Sequence, residues 1–355
     1  MRLWASLMLL LVIGQAHSAE VLRVYNWKNY IDPQVLADFE KDTGIQVDYQ
    51  TFTAANELDE VMAKHEAYDV VVPSHFQLSR MIRSNQLTVL DTSRLSNYKH
   101  IDSGLLAMLA GIDSANRYVV PYLWGSVGLV VNPALAQAHY GGPLPNSWGL
   151  LFDEAQAARL AGCGVSILDA PEETASLWFN YRGRSLARNG PRHIERQMQP
   201  LLRLAAQQHG MDNERYIDDL ADGRLCVAMA WVGHAMTAAK KNPALRFQIP
   251  DEGAMVFIDS LAIPSNAANP ELAYRFIDYM LAPKYAVLNA RATQFYSPLP
   301  SSSAEMQALA KELPMQVLTP DERRRVYVLE RLNGDQKAAL DRFWAQLKAV
   351  QHVVQ

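Results

Sequence analysis

Short runs that are apolar at nearly every position recur along this chain, and each breaks into aromatic or polar residues where a helix begins. Tyr68-Asp69-Val70-Val71-Val72-Pro73-Ser74, Leu225-Cys226-Val227-Ala228-Met229-Ala230-Trp231 and Gly253-Ala254-Met255-Val256-Phe257-Ile258-Asp259-Ser260 are the clearest. A strand with one face in water alternates polar and apolar residues; a continuous apolar run belongs to a strand covered on both faces, as in a parallel sheet under helices. Strand and helix patterns alternate at intervals of roughly 10 to 20 residues, which predicts a doubly wound α/β architecture.

The first such unit sets the functional question. Leu22 to Val24 read as a strand, Asp32-Pro33 as an N-cap with proline at the first helical position, and Val35, Leu36 and Phe39 as the apolar face of the helix that follows. Ligands of open α/β sheets bind at such strand-loop-helix junctions. The loop here carries Trp27 and Tyr30. Ser74 stands at a second junction, either as a ligand donor or as a helix cap. Trp124, Trp231, Phe257 and Tyr296 repeat the theme of an aromatic at a strand end or loop. Aromatic faces around a small cation contribute on the order of 0.5 to 2 kcal/mol each, and carboxylates such as Glu173 and Asp259 would neutralise it, so the set suits an organic amine.

Residues 1–19 begin with Arg2, continue through an apolar run from Leu7 to Ile13 and end in Ala16-His17-Ser18-Ala19. This is the pattern of a cleaved secretory signal, too short for a stable membrane insertion, and it directs the chain to the periplasm. The removed piece carries one charged residue, Arg2, so the formal net charge moves from −4 to −5. Such mild acidity excludes nucleic acid as an expected partner.

The 336 residues that remain of 355, with 49% hydrophobic and 20% charged residues overall, exceed what one core usually serves. Two lobes are expected, and without a linker in the sequence they should be interleaved: 20–130 plus 258–303 in one, 131–257 plus 304–355 in the other. Cys163 and Cys226, each beside a predicted buried strand, are expected to form a disulfide in an oxidising compartment, with buried free thiols as the alternative. No metal or cofactor site is expected. Nor is catalysis: Gly125-Ser126-Val127-Gly128 has the wrong spacing for a nucleophile elbow, and His65-Glu66 lacks the second histidine of a zinc-protease helix.

Several motifs in order then name a family. Tyr25-Asn26-Trp27-x-x-Tyr30-Ile31, Phe39-Glu40-Lys41-x-Thr43-Gly44-Ile45, Asp69-Val70-Val71-Val72-Pro73-Ser74, Leu168-Asp169-Ala170-Pro171-Glu172-Glu173, Cys226-Val227-Ala228-Met229-Ala230-Trp231-x-Gly233 and Pro250-x-Glu252-Gly253-Ala254-Met255 resemble the periplasmic putrescine- and spermidine-binding proteins of bacterial ABC importers. The resemblance covers essentially the whole mature chain. It implies a type II periplasmic binding protein fold, two doubly wound lobes on a hinge, and a monomer that traps a polyamine and delivers it to an inner-membrane ABC permease. It also supports the Cys163–Cys226 pairing. Carried over residue by residue, it places Trp27, Tyr30, Ser74, Glu173, Trp231, Phe257, Asp259 and Tyr296 in the amine pocket.

Three positions depart from the resemblance. Lys28 and Asn29 stand where putrescine binders show Ser-Asp, and His234 stands where they carry an acid. If Lys28 and His234 faced the ligand, one end of the pocket would take a carboxylate or neutral group, as in an ω-amino acid such as γ-aminobutyrate or 5-aminovalerate, or in an acylated polyamine. If Lys28 points to solvent and His234 is neutral, the diamine expectation stands. A periplasmic ligand sensor and a secreted enzyme are the remaining alternatives.

Overall fold

The computed structural model describes residues 20–205, 210–313, 318–329 and 331–354. The expected signal at 1–19 lies outside the described residues. Ten strands carry the architecture: β1 Val21–Trp27, β2 Gln46–Phe52, β3 Val70–Val71, β4 Val119–Val131, β5 Val165–Ile167, β6 Gly210–Met211, β7 Val227–Trp231, β8 Arg246–Gln248, β9 Ala254–Ala262 and β10 Val326–Val328. Their order is β2-β1-β3-β9-β4-β7-β5-β6, with β10 on β9 and β8 on β4.

The pairing shows two parallel groups joined through an antiparallel centre. β1 runs parallel to β2 and β3, and β5 parallel to β6 and β7. Between them β4 and β9 pair antiparallel from Val119↔Ala262 to Ser126↔Val256, and β4 then pairs with β7 from Val127↔Trp231 to Val131↔Val227. One long strand thus serves the first group with its early residues and the second with its late ones. Two lobes connected by continuous strands result, the type II periplasmic binding protein arrangement.

Local chemistry explains the elements that bear on the cleft. The helix Pro33–Thr43 starts where the Asp32 side chain accepts from Gln34 N and stops at Gly44, whose φ of 73° is the left-handed cap a side chain would resist. Burial is complete along β9, as the apolar run requires. Cys163 and Cys226 are joined in a disulfide immediately before β5 and β7.

Some sequence expectations differ from the structure. The sequence reads Tyr118 to Tyr122 and Gly125 to Val131 as two strands with Trp124 between them; from Val119 to Val131 they are one strand, β4, with a register shift between Pro121 and Leu123, because Trp124 and Gly125 stay paired to β9. Leu87 to Leu90, which the sequence reads as a further strand, contribute an isolated bridge, Leu87↔Pro264. Pro283, which the sequence reads as the stop of the helix begun at Asn269-Pro270, instead opens a second helix, Pro283–Thr293, since proline is at home in a first helical turn. The sequence reads Arg192 to His209 as one long amphipathic helix; it runs Pro191–Ala205, and 206–209 lie outside the described residues.

Candidate functional site: a buried two-carboxylate cleft

Strand ends from both lobes converge on Asp259. Side chains alternate along a strand, so Phe257 and Asp259 of β9 share a face. Asp259 is 4% exposed; the Tyr30 hydroxyl donates to its Oδ2 at 2.7 Å and the Ser74 hydroxyl to its Oδ1. Ser74 begins the helix His75–Arg83 but makes no side-chain cap. The Gln77 carboxamide accepts the Ser74 N–H instead, which leaves the hydroxyl for the carboxylate. Tyr30 is itself held from behind, where the Tyr122 hydroxyl donates to its carbonyl oxygen at 2.8 Å.

Glu173 enters from the second lobe, in the first turn of the helix Pro171–Tyr181. The indole N–H of Trp231, at the end of β7, donates to Glu173 Oε1 at 3.4 Å. Burial pushes the Glu173 carboxyl up to about 8, with the Asp259 charge adding to the rise and the Trp231 hydrogen bond opposing it. Burial likewise pushes Asp259 up to about 7 against the hydrogen bonds from Ser74 and Tyr30. Among the described residues no lysine, arginine or histidine forms an ion pair with either carboxylate. Two buried acids without a counter-charge are chemically able to accept a cation.

Aromatic rings fill the space around them. Phe295 is the hub, with ring centroids 5.0 Å from Tyr30, 5.7 Å from Phe257 and 6.2 Å from His234. Tyr296 pairs backbone to backbone with Trp124, lies tilted with its ring centroid 4.7 Å from that of the indole, and places its hydroxyl 3.2 Å from Ser126 Oγ. Trp27 packs 4.4 Å from Phe52, and its indole N–H is buried without a partner. Two glycines permit this density. A Cβ on Gly125 would lie 2.5 Å from Phe257 Cζ, and one on Gly233 2.6 Å from Phe295 Cζ.

Tyr30, Ser74, Glu173, Trp231, Phe257 and Asp259 are brought together as the sequence suggests, with Tyr296 beside them. The three departing residues are placed differently. Lys28 lies outside, its Nζ 3.2 Å from Glu214 Oε1, and Asn29 is an exposed turn residue with φ 58°. His234 stands beside the ring hub, its Nδ1 2.9 Å from the Tyr216 hydroxyl; burial pushes its pKa down to about 4, against the pull of the Glu214 charge, so the imidazole is neutral. Neither adds a free positive charge to the cleft. Phe295, Tyr216 and Glu214 were not singled out by sequence. Only Phe295 carried a signal, as the neighbour of Tyr296 in one aromatic loop.

Among the described residues no group of three or more His, Cys, Asp or Glu could hold a metal, and no helix is long and apolar enough to cross a membrane. Fold and site together define a two-lobed binding protein that encloses a small ligand between its lobes. The profile of the bacterial extracellular solute-binding proteins matches residues 26–287, and the chain belongs to that family. It is 32% identical to the putrescine-binding periplasmic protein SpuD of Pseudomonas aeruginosa over 95% of each chain. It is 33% identical to the putrescine-binding periplasmic protein PotF of Escherichia coli, over 94% of this chain and 93% of that one. In three dimensions it is similar to the spermidine/putrescine ABC transporter substrate-binding protein PotD of Streptococcus pneumoniae, with a TM-score of 0.74, 24% identity, and coverage of 94% of this chain and 100% of that one.

Proposed function

We propose that this protein is the periplasmic binding component of an ABC importer for a polyamine of the putrescine class. The observation that carries the proposal is the pair of buried carboxylates, Asp259 and Glu173, lacking any cationic partner among the described residues. A ligand ammonium would supply the missing charge, and Tyr30, Trp231, Phe257, Phe295 and Tyr296 would present π faces to its methylenes and cationic ends. Putrescine binding by two relatives at 32% and 33% identity supports the same class. Because Lys28 is engaged by Glu214 and His234 is neutral, nothing in these two residues favours a carboxylate-ended ligand.

One lobe is taken as 20–130 with 258–303 and the other as 131–257 with 304–355, hinged on β4 and β9, with the helix Ala304–Glu312 at the seam against Pro283–Thr293. Closure of the lobes excludes water and strengthens the ion pairs, and the closed form is what a permease would recognise; no chemical step is involved.

The test is a thermal-shift and calorimetric comparison of the mature protein, refolded free of ligand, against putrescine, cadaverine, spermidine, agmatine, γ-aminobutyrate and 5-aminovalerate. A diamine at about 100 times its Kd stabilises by about 2.7 kcal/mol, or about 4 °C for a chain of this length. A response confined to the amino acids, or no response to any amine, would overturn the proposal.

A further inference from the structure

Lys28 and Glu214 meet across the mouth of the cleft. Lys28 follows Trp27 at the end of β1 in the first lobe, and Glu214 lies between β6 and the helix Tyr216–Ala221 in the second. The Lys28 Nζ is 3.2 Å and 3.4 Å from the two Glu214 oxygens, the two residues standing 186 positions apart in sequence. Among the described residues neither makes a second ion pair.

Both turns are fixed before the side chains meet. Lys28 N donates to the Phe52 carbonyl at 2.8 Å, and Asn29 takes the left-handed conformation that completes the turn. On the other side Glu214 N donates to Asp212 Oδ1 at 2.7 Å, and the Asn213 carboxamide donates to the Asp169 carbonyl at 2.9 Å. The backbone on both sides is thus held within its own lobe, and the cost left to the pair is the rotamer entropy of its two long side chains. Parting the lobes must separate the two charges, so the pair contributes to the closed arrangement alone.

We propose that Lys28 and Glu214 form a latch that holds the lobes together around the ligand and slows its release. The inference rests on the lobe-closing function proposed above. Since a ligand's apparent affinity scales with the population of the competent state, a latch of ordinary exposed strength changes affinity by roughly two- to fivefold. Its sign separates it from a direct effect. An ammonium acting on an amine ligand would repel it, so removing Lys28 would tighten binding; removing half of a latch loosens it.

The experiment compares the wild type with Lys28→Glu, Glu214→Lys and the double swap, all at exposed positions that leave the cores untouched. Each single variant should release putrescine faster, by roughly two- to tenfold since like charges then face each other, with the difference shrinking at high salt. The swap should return release to within about twofold of the wild type. Tighter binding by Lys28→Glu, or single variants that the swap fails to rescue, would overturn the latch. Should putrescine not bind the wild type, the ligand assignment falls by itself. The latch is then judged from small-angle scattering of the four ligand-free proteins: more open single variants support it, and identical profiles overturn it.

Discussion

At the scale of single residues, Asp259 bears the site's main tension. Its carboxylate is buried and accepts from Tyr30 and Ser74, yet among the described residues no cationic side chain pairs with it. Asp259→Asn keeps the shape and removes the charge. Putrescine affinity should fall roughly 10- to 150-fold, the equivalent of a charge-assisted hydrogen bond worth about 1.5 to 3 kcal/mol. The ligand-free variant should at the same time be more stable than the wild type at pH 8, because an uncompensated buried charge is gone. Calorimetry and urea unfolding read the two effects, and wild-type affinity in the variant would remove Asp259 from the binding site. Tyr30→Phe retains the charge and loses one donor, so its loss in affinity should stay within roughly tenfold. The sequence exposed Asp259 within the apolar run of β9, Glu173 in the Leu168-to-Glu173 motif, and most of the aromatics because each stands at a strand end or in the loop beyond it. It could not decide Lys28 or His234, since the partner that draws Lys28 outward, Glu214, and the hydroxyl beside His234, from Tyr216, both come from a turn and helix distant in sequence.

At the scale of elements, the cleft lies at one end of the second lobe's strands and the disulfide at the other. β5 and β7 are parallel; Cys163 and Cys226 precede their first residues, while Glu173 and Trp231 follow or close their last. The bond closes a loop with a sequence separation of 63. Loop-closure entropy for that length is worth about 4 kcal/mol, or about 6 °C in this chain. Cys163→Ser with Cys226→Ser should therefore lower Tm by roughly that amount and leave ligand affinity within about twofold. A large loss of affinity with unchanged Tm would mean that the bond shapes the cleft instead of the lobe. Element identity was legible where one signal dominated, as in the unbroken apolar runs of β7 and β9. It failed where two signals competed. Trp124 reads as a break between two strands, but the strand continues through it, and the glycine that follows admits the Phe257 ring. The three residues of β10 have too little pattern to announce a strand whose partner, β9, lies some 70 residues earlier.

At the scale of the molecule, the buried carboxylate of Asp259 stands on β9, one of the two strands that run through the antiparallel centre between the lobes, so whatever neutralises Asp259 acts where they join. That coupling has a pH signature. The carboxyls of Asp259 and Glu173 titrate near 7 and 8 in the folded, ligand-free protein, well above their ordinary range, because burial favours the protonated form. Folding therefore takes up protons relative to the unfolded chain. The stability these groups lend is complete below the ordinary carboxylate range and is lost as pH rises through 7 and 8. Ligand-free protein should accordingly lose Tm between pH 5 and 9, and Glu173→Gln should flatten that fall. Binding an ammonium runs the other way, since it demands both carboxylates ionised. Diamine affinity should climb as pH rises from 6 and level off above about 8, with roughly one proton released per ligand near pH 7. Calorimetry in buffers of different ionisation enthalpy counts that proton directly. If binding released none between pH 6 and 8, the two buried acids would not be the groups that receive the ligand's charge.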